Sequence, residues 1–178
     1  MLQFDYICKE NERMATENDV MKQSQAKIVF GTLCSMLDKR GWKYERDDEK
    51  YVVRTGVTNE AGQNMKLYIK VDADRSVMYL KSPLPFKVEP SRIDEFCKAL
   101  TVANWKMLNG CFEMDADDGY VGFKLCIAYI ESIVSERLCK YMVDISCNML
   151  GAFMPKLAAL AEGSITLERF VALANEAI

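Results

Sequence analysis

The side chains that could do chemistry in this 178-residue chain are closely spaced carboxylates and seven cysteines, with no histidine anywhere. The acids gather at Asp47-Asp48-Glu49, at Asp72 with Asp74, and at Asp115, Asp117 and Asp118. Paired carboxylates can divide acid and base roles, or hold a hard cation. The third group, followed by Gly119, has the acidic start of a calcium loop. Such a loop needs acids at positions one, three and five, glycine at six and glutamate at twelve. Counted from Asp115, glycine falls at position five and position twelve is Cys126, so the spacing fails. What is left is a hairpin turn, where an Asp-Gly pair tolerates positive backbone angles and Asp bonds its own backbone. The other two acidic groups also fall at predicted turns.

The absence of histidine removes the commonest general base and metal ligand. No Ser-His-Asp or Cys-His arrangement is possible within the chain. Zinc would need cysteine or cysteine-carboxylate ligands, and no Cys-x-x-Cys pair exists among Cys8, Cys34, Cys97, Cys111, Cys126, Cys139 and Cys147. An odd, scattered set is not a secreted disulfide framework, so a reducing cytoplasm is the expected setting. Cys139 and Cys147 share a helical face two turns apart, ~12 Å, too far for a disulfide at ~6 Å. Most thiols are expected as small buried hydrophobes, with Cys8 the accessible exception. There is no glycine-rich phosphate loop. No catalytic residue, cofactor or metal is therefore assigned. The competing reading is a small enzyme using a cysteine or carboxylate, which requires a cleft holding one of these acids or a thiol of low pKa.

Composition narrows the class further. Half the residues are hydrophobic and the net charge is −3. That gives ample core and no dominant basic face, so nucleic acid is not an expected partner. Asp5, Lys9 and Glu10 interrupt any leader-like apolar run, and no uncharged stretch is long enough to cross a bilayer.

The elements that position these side chains follow from periodicity. Leu2, Phe4 and Tyr6 alternate, as a short edge strand would, in an N-terminal extension over residues 1–15. Residues 16–178 read as one domain. Thr16 and Asp19 suggest a helix start, and Ala26, Val29, Phe30, Leu33, Met36 and Leu37 carry its apolar face as far as Gly41. Four short-turned strands follow: Trp42–Glu45, Tyr51–Arg54, Met65–Val71 and Val77–Leu80. Pro83, Pro85 and Pro90 keep the next stretch extended. Ser91 begins a helix with Ile93, Phe96, Cys97 and Leu100 inward. The hairpin Cys111–Met114 and Val121–Ala128 follows. A helix starting at Ser135 carries Leu138, Met142, Ile145, Met149 and Ala152 near a coiled-seam period, with Gly151 and Pro155 expected to bend or break it. Its methionines suit either a core seam or an adaptable contact surface. Thr166 starts the last helix. The order α-ββββ-α-ββ-α-α predicts an α+β fold, an antiparallel sheet with helices mainly on one face.

That order, with Asn104 closing the middle helix, Cys111-Phe112-Glu113-Met114-Asp115, Val121-Gly122-Phe123-Lys124, and the Ser135-led helix ending near Pro155-Lys156-Leu157, resembles the YbjN-like family of bacterial proteins. The likeness covers roughly Thr16 to Ile178. It implies a fold similar to the type III secretion chaperones and a non-enzymatic cytoplasmic adaptor or chaperone-like regulator. The expected partner is a protein or extended peptide, with a homodimer in view and no membrane contact. Lys66, Tyr68 and Lys70 on one strand, with Lys124 and Cys126 on another, point away from the predicted core. That face, or an exposed sheet edge, is the candidate surface for an extended peptide.

Overall fold

The computed structural model describes residues 2–176, and side chains from residue 18 onward. Helix α1 spans Leu2–Lys39. Strands β1 (Tyr44–Asp47), β2 (Val52–Thr58), β3 (Asn64–Asp72) and β4 (Val77–Lys87) follow. Then come α2 (Ile93–Trp105), β5 (Cys111–Met114), β6 (Tyr120–Ala128), α3 (Glu136–Ala161) and α4 (Leu167–Asn175). The strands form one sheet in the order β1-β2-β3-β4-β6-β5, antiparallel at every pairing. The α+β architecture and element order read from the sequence are those observed.

Each strand sends alternate side chains to opposite faces. Met65, Leu67, Ile69 and Val71 of β3 are buried, as are Met78, Leu80 and Leu84 of β4 and Val121, Phe123 and Leu125 of β6. They join the buried face of the helices in one core. α1 lies beside α3 and reaches β3, α3 crosses β4 and β6, and α2 packs on β5 and α4. No described helix is long and apolar enough to cross a membrane.

α1 begins well before Thr16. No glycine or proline interrupts residues 2–30, so Leu2, Phe4 and Tyr6 continue a helix and form no strand, and Thr16 and Asp19 lie inside it. Its end is as expected. Gly41 has φ 66°, its N–H reaches the Asp38 carbonyl at 2.9 Å, and the Trp42 N–H reaches the Leu37 carbonyl at 3.1 Å. That double closure satisfies carbonyls the helix leaves open.

Other boundaries moved for identifiable reasons. β1 begins at Tyr44, two residues late, because the Gly41 closure occupies Trp42. Ser91 caps nothing: Pro90 opens a single 3-10 turn, and the N-cap of α2 is Arg92, with no side-chain bond. On α2, Ala99 and Ala103 join Phe96 and Leu100 in the core while Cys97 faces solvent. Ser135 does cap α3, accepting from the Leu138 N–H at 3.2 Å. α3 then runs unbroken through Gly151 and Pro155. One missing hydrogen bond is outweighed by burial of Phe153, Leu157 and Leu160 around it. The buried stripe of α3 is Cys139, Met142, Val143, Ser146, Leu150 and Phe153, so the expected seam is displaced by about a residue. Met142 is in the core, and Leu138, Ile145, Met149 and Ala152 flank it.

Candidate partner-binding face

With all four described helices on one side, the other face of the sheet is open among the described residues. Side chains there line up across the strands. Arg54, Tyr68, Lys81, Lys124 and Cys111 are successive cross-strand partners, and so are Val52, Lys70, Tyr79 and Cys126. Tyr68 sits at the centre. The Arg54 guanidinium lies 5.7 Å from its ring centroid, and the Tyr79 ring is 6.5 Å away on the other side. Val52 is fully buried although it faces outward, outside the main core.

β4 shapes this face. The sequence reading ended the strand at Leu80, but it runs on to Lys87, with Pro83 and Pro85 inside it. Pairing with β3 stops at Tyr68↔Lys81, although β3 itself continues back to Asn64. Proline has no N–H to give a ladder, so a central strand accepts it only where one neighbour is absent. β3 and β4 separate there, and a branched valley opens around Pro83. One arm, of about 580 Å³, reaches Lys43, Glu45, Arg54, Gly56, Lys66 and Tyr68. A second, of about 450 Å³, reaches Glu113, Met114, Tyr120 and Gly122. A third, of about 520 Å³, runs past Lys66 to Pro85, Lys87 and Tyr120.

The five residues singled out in the sequence all lie on this face but do not form one cluster. Lys66 and Tyr68 line the valley. Lys70 borders a different recess, shared with Glu49, Asp72 and Asp74. Lys124 is bonded to Glu113 at 2.5 Å, which holds its ammonium above the ordinary range. Cys126 is exposed opposite Tyr79. Lys43, Arg54, Pro83 and Tyr120 were missed. The signal for Pro83 was present in Leu84 and Phe86, which alternate with Pro83 and Pro85 as a strand would.

The sheet edges are less accessible than the face. Beside β5, the Asn104 side chain donates to the Phe112 carbonyl at 3.0 Å and accepts from the Phe112 N–H at 2.8 Å. A carboxamide thus occupies a position where an added strand would bond. The other edge, β1, is four residues long and carries Glu45, Arg46 and Asp47, a charged edge of the kind that resists pairing.

The acidic groups are turns. Gly119, at φ 71°, closes the hairpin, with its N–H on the Asp115 carbonyl at 2.8 Å. The Asp115 and Asp118 carboxylates accept from the backbone N–H groups of Asp117 and Tyr120. Asp72 accepts from the Arg75 N–H. Among the described residues no three His, Cys, Asp or Glu side chains are grouped to hold a metal. Burial pushes the Cys139 and Cys147 thiols up to about 11 and raises Cys34 as well. A cysteine nucleophile needs the opposite shift. Cys8 lies outside the described side chains.

No family model matches the chain, and no curated protein matches its sequence. Among solved structures it is similar to YbjN from E. coli, a candidate transcription regulator. The TM-score is 0.53 at 14% identity, covering 75% of this chain and 92% of that one. Partial likeness extends to the HopA1-SchA chaperone-effector complex, with TM-score 0.48, 12% identity and coverage of 70% and 93%. It extends also to the ExsC-ExsE complex, with TM-score 0.39, 12% identity and coverage of 65% and 83%. The chain has a YbjN-like α+β fold, and at this identity the likeness speaks for the fold alone.

Proposed function

We propose that this protein is a non-enzymatic binding module, an adaptor or chaperone-like regulator that works by protein contact on the open face of its sheet. The observation that carries this reading is the valley around Pro83, held open on a face that no described helix covers. A shallow trough crossing several strands suits an extended segment of another protein better than a small enclosed substrate. The sealed edge at β5 and the charged edge at β1 favour the face over strand addition. The free thiols Cys34, Cys97, Cys111, Cys126, Cys139 and Cys147 agree with work in a reducing cytoplasm. A single domain over residues 16–178 and a homodimer complete the proposal. Support for the dimer comes from Trp105 and Leu108, which are 86% and 101% exposed and lie near the outward Tyr141 through its bond to Asn109.

The test is affinity capture from native lysate with the wild-type chain and with a Tyr68→Ala, Pro83→Asp double variant of unchanged circular dichroism. A protein retained by the wild type and released by the variant is expected. Identical capture by both chains would put the contact elsewhere and end this reading.

A further inference from the structure

The arms of the valley differ in charge, and the difference identifies what enters. In the Glu113 arm the cations are already spent: Glu113 binds Lys124 at 2.5 Å and lies 3.8 Å from Lys81. Nearby, Lys87 meets Asp118 at 3.6 Å. The arm between β1, β2, β3 and Pro83 is different. It holds Lys43, Arg54 and Lys66 against one carboxylate, Glu45. Among the described residues none of these four is in an ion pair. A chain of net charge −3 thus places a net positive site in this arm, where Glu45, the cross-strand partner of Arg54, is the one acid against three cations. The Arg54 guanidinium is held in place over Tyr68, with its fork of donors available. That fork matches a carboxylate in two parallel hydrogen bonds.

We propose that the segment received here is acidic: an extended peptide that places an Asp or Glu carboxylate between Arg54 and Lys66 and lays an apolar neighbour along Tyr68 and Pro83. This rests on the face being the contact surface, as proposed above. A peptide is favoured over a nucleic acid because acids alternate with bases on this face. Glu45 and Glu113 would repel a run of phosphates but leave room for one or two carboxylates.

The experiment is fluorescence anisotropy on the full chain with labelled peptides of about ten residues, ~33 Å when extended. One alternates Glu with Val, and its partner replaces every Glu by Gln. A thymidine oligonucleotide of the same length is the third probe. The Glu peptide is expected to bind about tenfold more tightly than the Gln peptide at low salt, with the gap closing as salt screens it. Arg54→Gln with Lys66→Gln, or Lys66→Gln alone, should shrink that gap by weakening the Glu peptide more than the Gln peptide. Tyr68→Ala should weaken both peptides together. Equal affinity for both peptides, lost in Tyr68→Ala, would overturn the acidic preference and leave the face reading standing. Binding of neither peptide would remove both. A gap that survives the Arg54 and Lys66 changes, or tighter binding of the oligonucleotide than of the Glu peptide, would also overturn the proposal.

Discussion

Asn104 does with one side chain what a further strand would do along the β5 edge. Its carboxamide satisfies both backbone groups of Phe112, and it can do so because α2 ends beside β5. Asn104→Ala should lower stability by about 1–3 kcal/mol through two orphaned backbone groups, measured by urea titration, and should promote association at that edge. At the cysteines, environment separates residues of identical chemistry. Cys97 and Cys126 are exposed, while Cys34 and Cys139 are buried with raised pKa values. Brief alkylation of the folded chain at neutral pH should label Cys97 and Cys126 and spare Cys34 and Cys139 until denaturant is added. Mass spectrometry of the digested chain reads the result. Rapid labelling of a single thiol, with all others inert, would instead favour a cysteine enzyme.

At the scale of elements, α1 is fastened to the start of α3. Ser35 and Lys39 both donate to Glu136, at 2.8 and 2.6 Å, and Arg40 reaches Asp144 at 2.7 Å. The Lys39 bond, then the Ser35 bond, draws the Glu136 carboxyl below its ordinary value of 4.5. For Asp144, burial pushes up, but the bonds from Lys140 and Arg40 outweigh it and the net shift is down. A carboxylate whose pKa is lowered in the folded chain adds stability above its unfolded pKa and loses it as pH falls through the folded value. Wild type should therefore melt above Glu136→Gln at neutral pH. The gap should fade below about pH 4.5, where the unfolded carboxyl protonates. Thermal melts across that range provide the check. The hairpin joining β5 to β6 depends on Gly119. A β-carbon there would stand 2.1 Å from the Val88 carbonyl oxygen, at a positive φ. Gly119→Ala should cost about 1–3 kcal/mol and shift the thermal midpoint downward. Phe153 of α3, wholly buried with its ring 5.9 Å from Phe112, should cost about 3–5 kcal/mol as Phe153→Ala.

For the whole molecule, the deciding feature is asymmetry: helices on one side of the sheet and a wet, partly basic face on the other. Substitutions on the open face should spare the fold. Lys66→Glu is exposed and should change stability by no more than about 0.5 kcal/mol. Loss of contact with little loss of stability is the mark of a surface kept for a partner. Self-association should depend on a different surface. If Trp105 and Leu108 form it, Leu108→Glu should halve the particle mass by light scattering. A wild-type monomer at every accessible concentration would remove the dimer from the proposal.

The sequence by itself determined the element order and which side of β3 and β6 is buried. Alternation along Met65–Val71 and Val121–Ile127, and three-four spacing from Ala26 to Leu37, are local consequences of backbone geometry and need no knowledge of neighbours. It also determined the turns at Gly41 and Gly119, since few other residues accept those angles. Tertiary structure alone decided where β3 and β4 separate, because Pro83 and Pro85 could read equally as a linker or as a strand lacking one neighbour. It decided that α3 continues through Pro155, because packing of the surrounding side chains outweighs one lost hydrogen bond. And it decided which cations stay uncompensated, since the ion pairs of Glu113 and Asp118 join residues on different strands and turns. A charge is free or spent only once the whole sheet is assembled.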